Sequence, residues 1–466
     1  MTHQRLVVLV TLFAAAGCVP NKMYRQTSVL HEQLATRQFE PTEVNDDSAW
    51  RYRLAFIEFD DRGEMFQRAQ LTRAVEEVAR AKADAQAGSG MSVVALFVHG
   101  WKNNASEGSG NVWGFRQVLA GLSKQFNSAE EPERVPVVGV YVGWRGAVLS
   151  PPVLKEFTFF DRHRKSQNLQ GAHLVEALIK VLQAAKGADY DDGSTRAVLI
   201  GHSFGGAVLE TSLTQTLVGL AVRAKSAGQP MRWPADVIMF VNEAQEAIQS
   251  YQLIEAFKEN LPPRDPPLPG DENLERPNGC LPPPTAAQTA RQRERPPAAP
   301  AIVSISSTGD YATRVAFKAA KSLQRPFNSL RTYDKDAPNF LGLERQTPMF
   351  LNTTAHLREF HSHLMGRCRC EQPAAEGGCD PQNLRCEDPA LEAARQACKV
   401  NIQATLGSAI YAIVEKPGAR NRTPYWVLQM PPTIVSDHST IFTPVFRNFV
   451  ITLLLRSMAG EPGPQG

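Results

Sequence analysis

Strand-length apolar runs recur along this chain, separated by stretches of helical period, and that rhythm leaves few folds open. Residues 51–59 (RYRLAFIEF) alternate as a strand does, and 93–98 (VVALFV) are continuously apolar, as in a strand buried on both faces. Further strands are read at 137–142, 197–200, 236–241 (DVIMFV), 301–306 and 425–429. Helical spacing occupies about 65–87, then 169–186, where Leu174, Leu178, Val181 and Leu182 share one face, then 204 to about 226, and a closing stretch from about 446 to 458. Such alternation predicts an α/β fold, a mostly parallel sheet with helices on both faces.

Two segments interrupt the rhythm. Residues 261–300 are dense in Pro, Arg and Glu and cannot bury enough apolar area to offset their ordering entropy, so a disordered or extended loop is expected there. Residues 325–420 form a longer insertion holding five cysteines, Cys368, Cys370, Cys379, Cys386 and Cys398. Both fall between core strands, which makes them excursions from one domain spanning 49–458, with a flexible tail at 459–466. Hydrophobic content of 43% and charged content of 21% are ordinary for a globular chain, and a net charge of +3 without a long Lys/Arg block is too small to imply a nucleic-acid partner, so none is expected.

The N-terminus carries an address. Arg5 precedes the apolar run 6–13, and Ala14-Ala15-Ala16-Gly17-Cys18 follows; the run is too short to span a bilayer and has the order of a secretory signal. A cysteine directly after Ala-Gly resembles the lipobox of bacterial lipoproteins. That resemblance implies a signal peptide over 1–17, lipidation of Cys18, a polar tether over 18–48, and anchoring in the cell envelope. Ala15 stands where that family most often has Leu, and Val19 after the cysteine favours the outer membrane, facing the periplasm. A plain signal peptide with a chance cysteine is the other reading. With Cys18 set aside, Cys280 and the five insertion cysteines make an even six, as in a disulfide-bonded exported chain, and allow fifteen pairings. A zinc site with His356, His361 and His363 is the rival, but the cysteine intervals match no standard zinc pattern.

Chemistry concentrates at strand ends. The string Gly201-His202-Ser203-Phe204-Gly205 directly follows the apolar run 197–200 and opens a helical stretch. A serine is a useful nucleophile only where a sharp turn exposes it and a base takes its proton. Roughly 0.1 to 0.2 matches to GxSxG are expected by chance in a chain this long, so the other groups decide. His99-Gly100-Trp101 stands at the end of 93–98, His438 in the loop after the last strand, and Asp310 in the loop after the penultimate one. Asp310 also reads as a helix N-cap for the segment from Ala312, and Glu243, after 236–241, is the alternative acid. Among the other histidines, His202 reads as packing within the turn and His99 as orienting its own loop.

Together these strings resemble the α/β-hydrolase superfamily, and VHGWKNN, GWRG and DHSTIF are most similar to its bacterial esterase/lipase-like branch. The resemblance implies the α/β-hydrolase fold, Ser203 as nucleophile, His438 as base and Asp310 as acid, with the backbone N–H groups of Trp101 and Phe204 as oxyanion donors. It implies no metal and no organic cofactor. Trp101, Phe204, Trp144 and 157–160 (FTFF) could equally line an acyl pocket or belong to the core. The expected activity is cleavage of carboxylic esters, with an ester or lipid-like substrate. An acyltransferase using the same triad, and a non-catalytic binding or scaffold lipoprotein, are the alternatives.

Overall fold

The computed structural model describes residues 21–25, 29–33, 51–127, 134–146, 166, 168–261, 300–334, 338–372, 379–380, 383–397, 400–406 and 409–458. The signal segment, Cys18, most of the stretch expected as a tether, 157–160, nearly all of the Pro-rich loop, Cys280, Cys398 and the tail therefore lie outside the described residues. The described part of the expected tether is not a free linker: Val29–Gln33 pairs antiparallel with Arg51–Ala55, and the Tyr24 and Arg25 N–H groups each donate to the Glu58 carboxylate at 2.8 Å.

The strands β1 (Val29–Gln33), β2 (Arg51–Glu58), β3 (Ser92–Val98), β4 (Val137–Gly143), β5 (Thr195–His202), β6 (Val237–Val241) and β7 (Ile302–Ser307) join one sheet with a late strand at 425–430. Between them run α1 (Arg68–Ala87), α2 (Gly110–Phe126), α3 (Ala172–Lys186), α4 (Phe204–Ala227) and α5 (Ala247–Asn260). A π-helical turn (Ala312–Ala316), α6 (Phe317–Gln324) and a 3₁₀ turn (Arg325–Phe327) follow β7. The insertion then supplies α7 (Thr347–Leu351), β8 (His363–Cys370), β9 (Leu384–Cys386), α8 (Pro389–Ala397), β10 (Val400–Leu406) and β11 (Ala409–Glu415), before β12 (Tyr425–Met430) and α9 (Pro444–Met458) close the chain.

The sheet order is β1-β2-β4-β3-β5-β6-β7-β12. Only β1 runs antiparallel; every pair from β2 to β12 is parallel. That order, with crossover helices on both faces, is the α/β-hydrolase architecture. Side-chain alternation along each strand divides the core in two. Val94, Leu96 and Val98 of β3 pack with α1, α3, α4 and α5 on one face, while Val93, Ala95 and Phe97 pack with α2 and α9 on the other. Each fully buried Val, Leu or Ile there contributes about 1.5–3 kcal/mol.

Helix α2 is absent from the sequence reading because Gly110, Gly114 and Gly121 dilute its helical signal. Packing explains two of them: a Cβ on Gly114 would lie 2.2 Å from the Phe442 ring, and one on Gly121 2.6 Å from the Arg447 side chain. The insertion is likewise more ordered than its composition suggests. It builds an antiparallel sheet, β10-β11-β8-β9, with the bridge Cys368–Cys386 joining directly paired residues and a second bridge joining Cys370 to Cys379. The small sheet meets the large one beside β12, where the Ser362 N–H donates to Val427 O at 3.0 Å and the His363 ring stacks on Trp426 at 3.8 Å.

Strand register sets the site. Val98 pairs with Gly201, His202 with Val241, Val241 with Ile305 and Ser307 with Met430. The loops leaving β3, β5, β6, β7 and β12 thus emerge at one edge of the sheet, at its carboxyl end.

Candidate active site

The turn after β5 begins with a strained residue. Ser203 has φ 56° and ψ −124°, a region that side-chain-bearing residues rarely occupy and that costs about 1–3 kcal/mol. Backbone bonds on every side hold it: its N–H donates to Val241 O at 3.0 Å, and its carbonyl accepts from Gly206 at 3.0 Å and Ala244 at 3.2 Å. Small neighbours are obligatory. A Cβ on Gly205 would sit 2.1 Å from Val98 O, and one on Gly201 2.7 Å from Gly205 O.

Ser203 Oγ lies 2.8 Å from Nε2 of His438, and Nδ1 of the same ring lies 2.9 Å from Oδ2 of Asp310. An ionised carboxylate can only accept, so Nδ1 carries the proton and Nε2 is left to accept from the serine hydroxyl. Asp310 has no exposed surface. Burial pushes its pKa up, but the His438 hydrogen bond and charge, together with two bonds from Thr313, outweigh that and hold the carboxyl below its ordinary value.

The Thr313 N–H donates to Asp310 Oδ1 at 3.1 Å, so the N-cap geometry and the bond to His438 coexist on one side chain. The Thr313 hydroxyl donates to Oδ2 at 2.5 Å, and behind it His356 Nε2 lies 2.9 Å from that hydroxyl. A hydroxyl whose proton points at Asp310 must accept from His356, which fixes the Nε2–H tautomer. Nδ1 then accepts from the Gln429 amide at 3.3 Å. Burial lowers the His356 pKa to about 4, so the ring stays neutral. The insertion therefore reaches the surroundings of Asp310 through His356, while His361 and His363 bond elsewhere: His361 Nε2 donates to Ala355 O, and His363 bonds Ser362.

The His438 loop is tied to the turn. His202 Nε2 donates to His438 O at 2.7 Å, and Asn242 Nδ2 donates to the same oxygen and to Asp437 O, both at 3.2 Å. Burial, then the nearby His438 charge, lowers the His202 pKa to about 3, so it bonds as a neutral donor. Asn242, at φ 46°, also accepts from the Ser307 N–H at 2.8 Å. Asp437 turns back on its own loop, accepting from Ser439 N at 2.7 Å.

The loop after β3 packs directly on the serine. A Cβ on Gly100 would lie 2.7 Å from both Ser203 Cβ and His202 O. His99 Nδ1 donates to Gly100 O at 2.9 Å, while Nε2 accepts from the Trp144 N–H at 2.9 Å. Trp144 stacks on that ring with centroids 5.5 Å apart, and its indole N–H donates to His99 O, so it supports this loop from the core. Burial takes the His99 pKa down to about 4. Lys102, at φ 70°, donates its N–H to Gly146 O, which staples the loop to the turn after β4. Trp101 is half-buried, its ring 6.4 Å from that of the buried Phe204, and Phe204 opens α4, where the helix dipole favours negative charge.

Glu243 does not meet His438. Its side chain lies under the first turn of α4, with Cβ 3.2 Å from where Gly206 would carry one, and its titrating neighbour is the fully buried Glu210. Burial, then the charge of Glu210, pushes the Glu243 pKa well up, and burial raises that of Glu210. The carboxylate that meets the His438 ring in this structure is Asp310, at 2.9 Å, and not Glu243. Sequence reasoning missed Thr313, Asn242 and Glu210, and gave His202 and His356 no defined partner.

No family model and no curated protein matches this chain. Among solved structures, Trichoderma reesei cutinase in complex with a C11Y4 phosphonate inhibitor is similar at 17% identity over 38% of this chain and 68% of that one, with a TM-score of 0.17. Phospholipase PlaB from Legionella pneumophila in complex with thio-NAD is similar at 12% identity over 60% of this chain, with a TM-score of 0.23, and the match spans about half (47%) of the phospholipase. Likenesses this slight say nothing of the reaction, and the architecture stands on the chain's own strand order and register.

Proposed function

We propose that this chain is a serine hydrolase that cleaves carboxylic esters, esterase- or lipase-like, through an acyl-enzyme. One observation carries the reading: a serine on a strained turn, with its hydroxyl 2.8 Å from an imidazole whose other nitrogen is 2.9 Å from a buried carboxylate. In the proposed route Ser203 Oγ attacks the ester carbon as its proton passes to His438 Nε2. Asp310 holds the ring and stabilises the imidazolium. The tetrahedral oxyanion is received by the N–H groups of Trp101 and Phe204; each such donor is worth about 3–4 kcal/mol in the transition state. His438 then gives its proton to the leaving alkoxide. Water, deprotonated by the same nitrogen, attacks the acyl-enzyme and releases the acid.

The test is labelling by a fluorophosphonate. Covalent modification at Ser203, abolished in Ser203→Ala, is expected; a folded preparation that does not label refutes the reading and leaves a binding or scaffold role. Product analysis with and without alcohol acceptors separates hydrolase from acyltransferase, which would use the same residues.

The expected address belongs to the same proposal: a signal over 1–17, lipidation of Cys18, and a tether that leaves the domain at the envelope membrane with lipid-like esters within reach. Among the described residues no helix is long and apolar enough to cross a membrane. Incorporation of labelled palmitate, lost in Cys18→Ser, is the expected result.

A further inference from the structure

The helical segment that follows Asp310 carries an exposed apolar stripe. Tyr311 is 67% exposed, Leu323 70% and Phe327 88%, with Val315 at 37%. Tyr311 and Val315 stand four residues apart, as do Leu323 and Phe327 further along the segment, while Thr313, Phe317 and Lys321 between them are buried. Exposure on this scale in one contiguous segment marks a contact surface.

Charge says what the surface contacts. No Asp or Glu occurs between Asp310 and Asp334, whereas Arg314, Lys318, Lys321, Arg325 and Arg331 all do. Lys321 is committed to Glu246 at 2.5 Å. Arg314 donates back to Thr308 O at 3.1 Å. Lys318 and Arg325 line a recess of about 560 Å³ together with Arg345, Glu344, Leu343 and Leu351. Three cations against one carboxylate, beside projecting Leu and Phe side chains, match a lipid that offers a phosphate headgroup and an acyl chain at once. A second copy of this chain would bring like charges together on the same face.

We propose that residues 311–327 form an interfacial segment that seats the chain on an anionic phospholipid surface. Leu323 and Phe327 enter the acyl region, and the Lys318–Arg325–Arg345 recess takes a phosphate headgroup. The segment begins one residue after Asp310, at the edge of the sheet where Ser203 lies, so docking turns that edge toward the bilayer. The inference does not depend on the hydrolase reading.

The test uses the full chain carrying Cys18→Ser, so that no acyl anchor contributes, and Ser203→Ala, so that only binding is read. Co-sedimentation is measured with vesicles of phosphatidylcholine, with and without phosphatidylglycerol. Binding to the anionic vesicles alone is expected, weakening with salt. Replacing Leu323 and Phe327 together by Ser should lower the partition coefficient roughly tenfold or more. Lys318→Glu with Arg325→Glu should remove the preference for phosphatidylglycerol, each cation being worth about fivefold. Absence of binding to either vesicle overturns the proposal, as does binding unchanged in both double variants. A dimer in sedimentation velocity that the Leu323/Phe327 variant dissolves also overturns it, by assigning the face to a second copy. Because the test variant carries Ser203→Ala, the outcome is independent of the fluorophosphonate result.

Discussion

His438 Nδ1 meets Asp310 Oδ2 at 2.9 Å, across 128 residues of sequence, and the same carboxylate accepts both the amide and the hydroxyl of Thr313. The Asp310 carboxylate is thus oriented from two sides. On one is the His438 ring; on the other is a threonine backed by His356 from the insertion.

Asp310→Asn should lower kcat on a soluble ester by about four orders of magnitude, because an amide stabilises the wrong tautomer of His438 and cannot balance the imidazolium. Glu243→Gln should change kcat less than about threefold, since that carboxyl faces Glu210 and not the ring. Steady-state kinetics on both variants decides; the reverse ranking would move the acid to Glu243.

In the proposed mechanism Thr313, which bonds the Asp310 carboxylate through its amide and its hydroxyl, acts as a positioning residue. Thr313→Val should cut kcat about tenfold with little change in KM, and Thr313→Ser should restore it. A pH readout separates this from simple loss of packing. The folded pKa of Asp310 is depressed below its ordinary 3.8, so its contribution to stability is present above that value and is lost as pH falls through the folded pKa. Removing a donor raises the folded pKa and shrinks the contribution. Thr313→Val should therefore be less stable than wild type by about 1 kcal/mol near pH 6, and the two should converge as pH falls through the depressed folded pKa. A gap that persists in acid would indicate packing alone.

Glu210 and Glu243 predict an opposite slope. Burial first, and for Glu243 the charge of its partner, raises the folded pKa above the ordinary 4.5. Their contribution is fully present below that value and is lost as pH rises through the raised one. Glu243→Gln removes a group that must either stay protonated or ionise without solvent. Its thermal midpoint should exceed that of wild type by a margin that widens from pH 5 to pH 9. A variant less stable at every pH would contradict this.

Gly205→Ala should destabilise by at least about 3 kcal/mol in urea unfolding, because the new methyl overlaps backbone oxygens of Val98 and His99 at 2.1 and 2.5 Å. Gly219→Ala, on the same helix with nothing within 4 Å, should stabilise by about 0.5–1 kcal/mol. Similar effects at both positions would mean that the close approach at the turn is not what requires glycine.

The sequence alone determined the sheet strands from Arg51 onward, the serine turn, and the placing of His438 and of two candidate carboxylates, Asp310 and Glu243, in loops after core strands, because those features are local: a burial pattern of period two, a glycine-flanked serine at a strand end, loops at fixed places in the strand succession. Helix α2 was hidden since its glycines answer to Phe442 and Arg447, more than 300 residues away. Tertiary structure alone decided which carboxylate faces the imidazole, since Asp310 and Glu243 both follow core strands and only the packing of α4 turns Glu243 inward to Glu210. It also decided that His202 holds the His438 loop across 236 residues and that His356 backs Thr313 across 43. Such pairs leave no periodic trace in the chain, because a hydrogen bond between distant loops depends on where the sheet register brings them and not on the residues beside them.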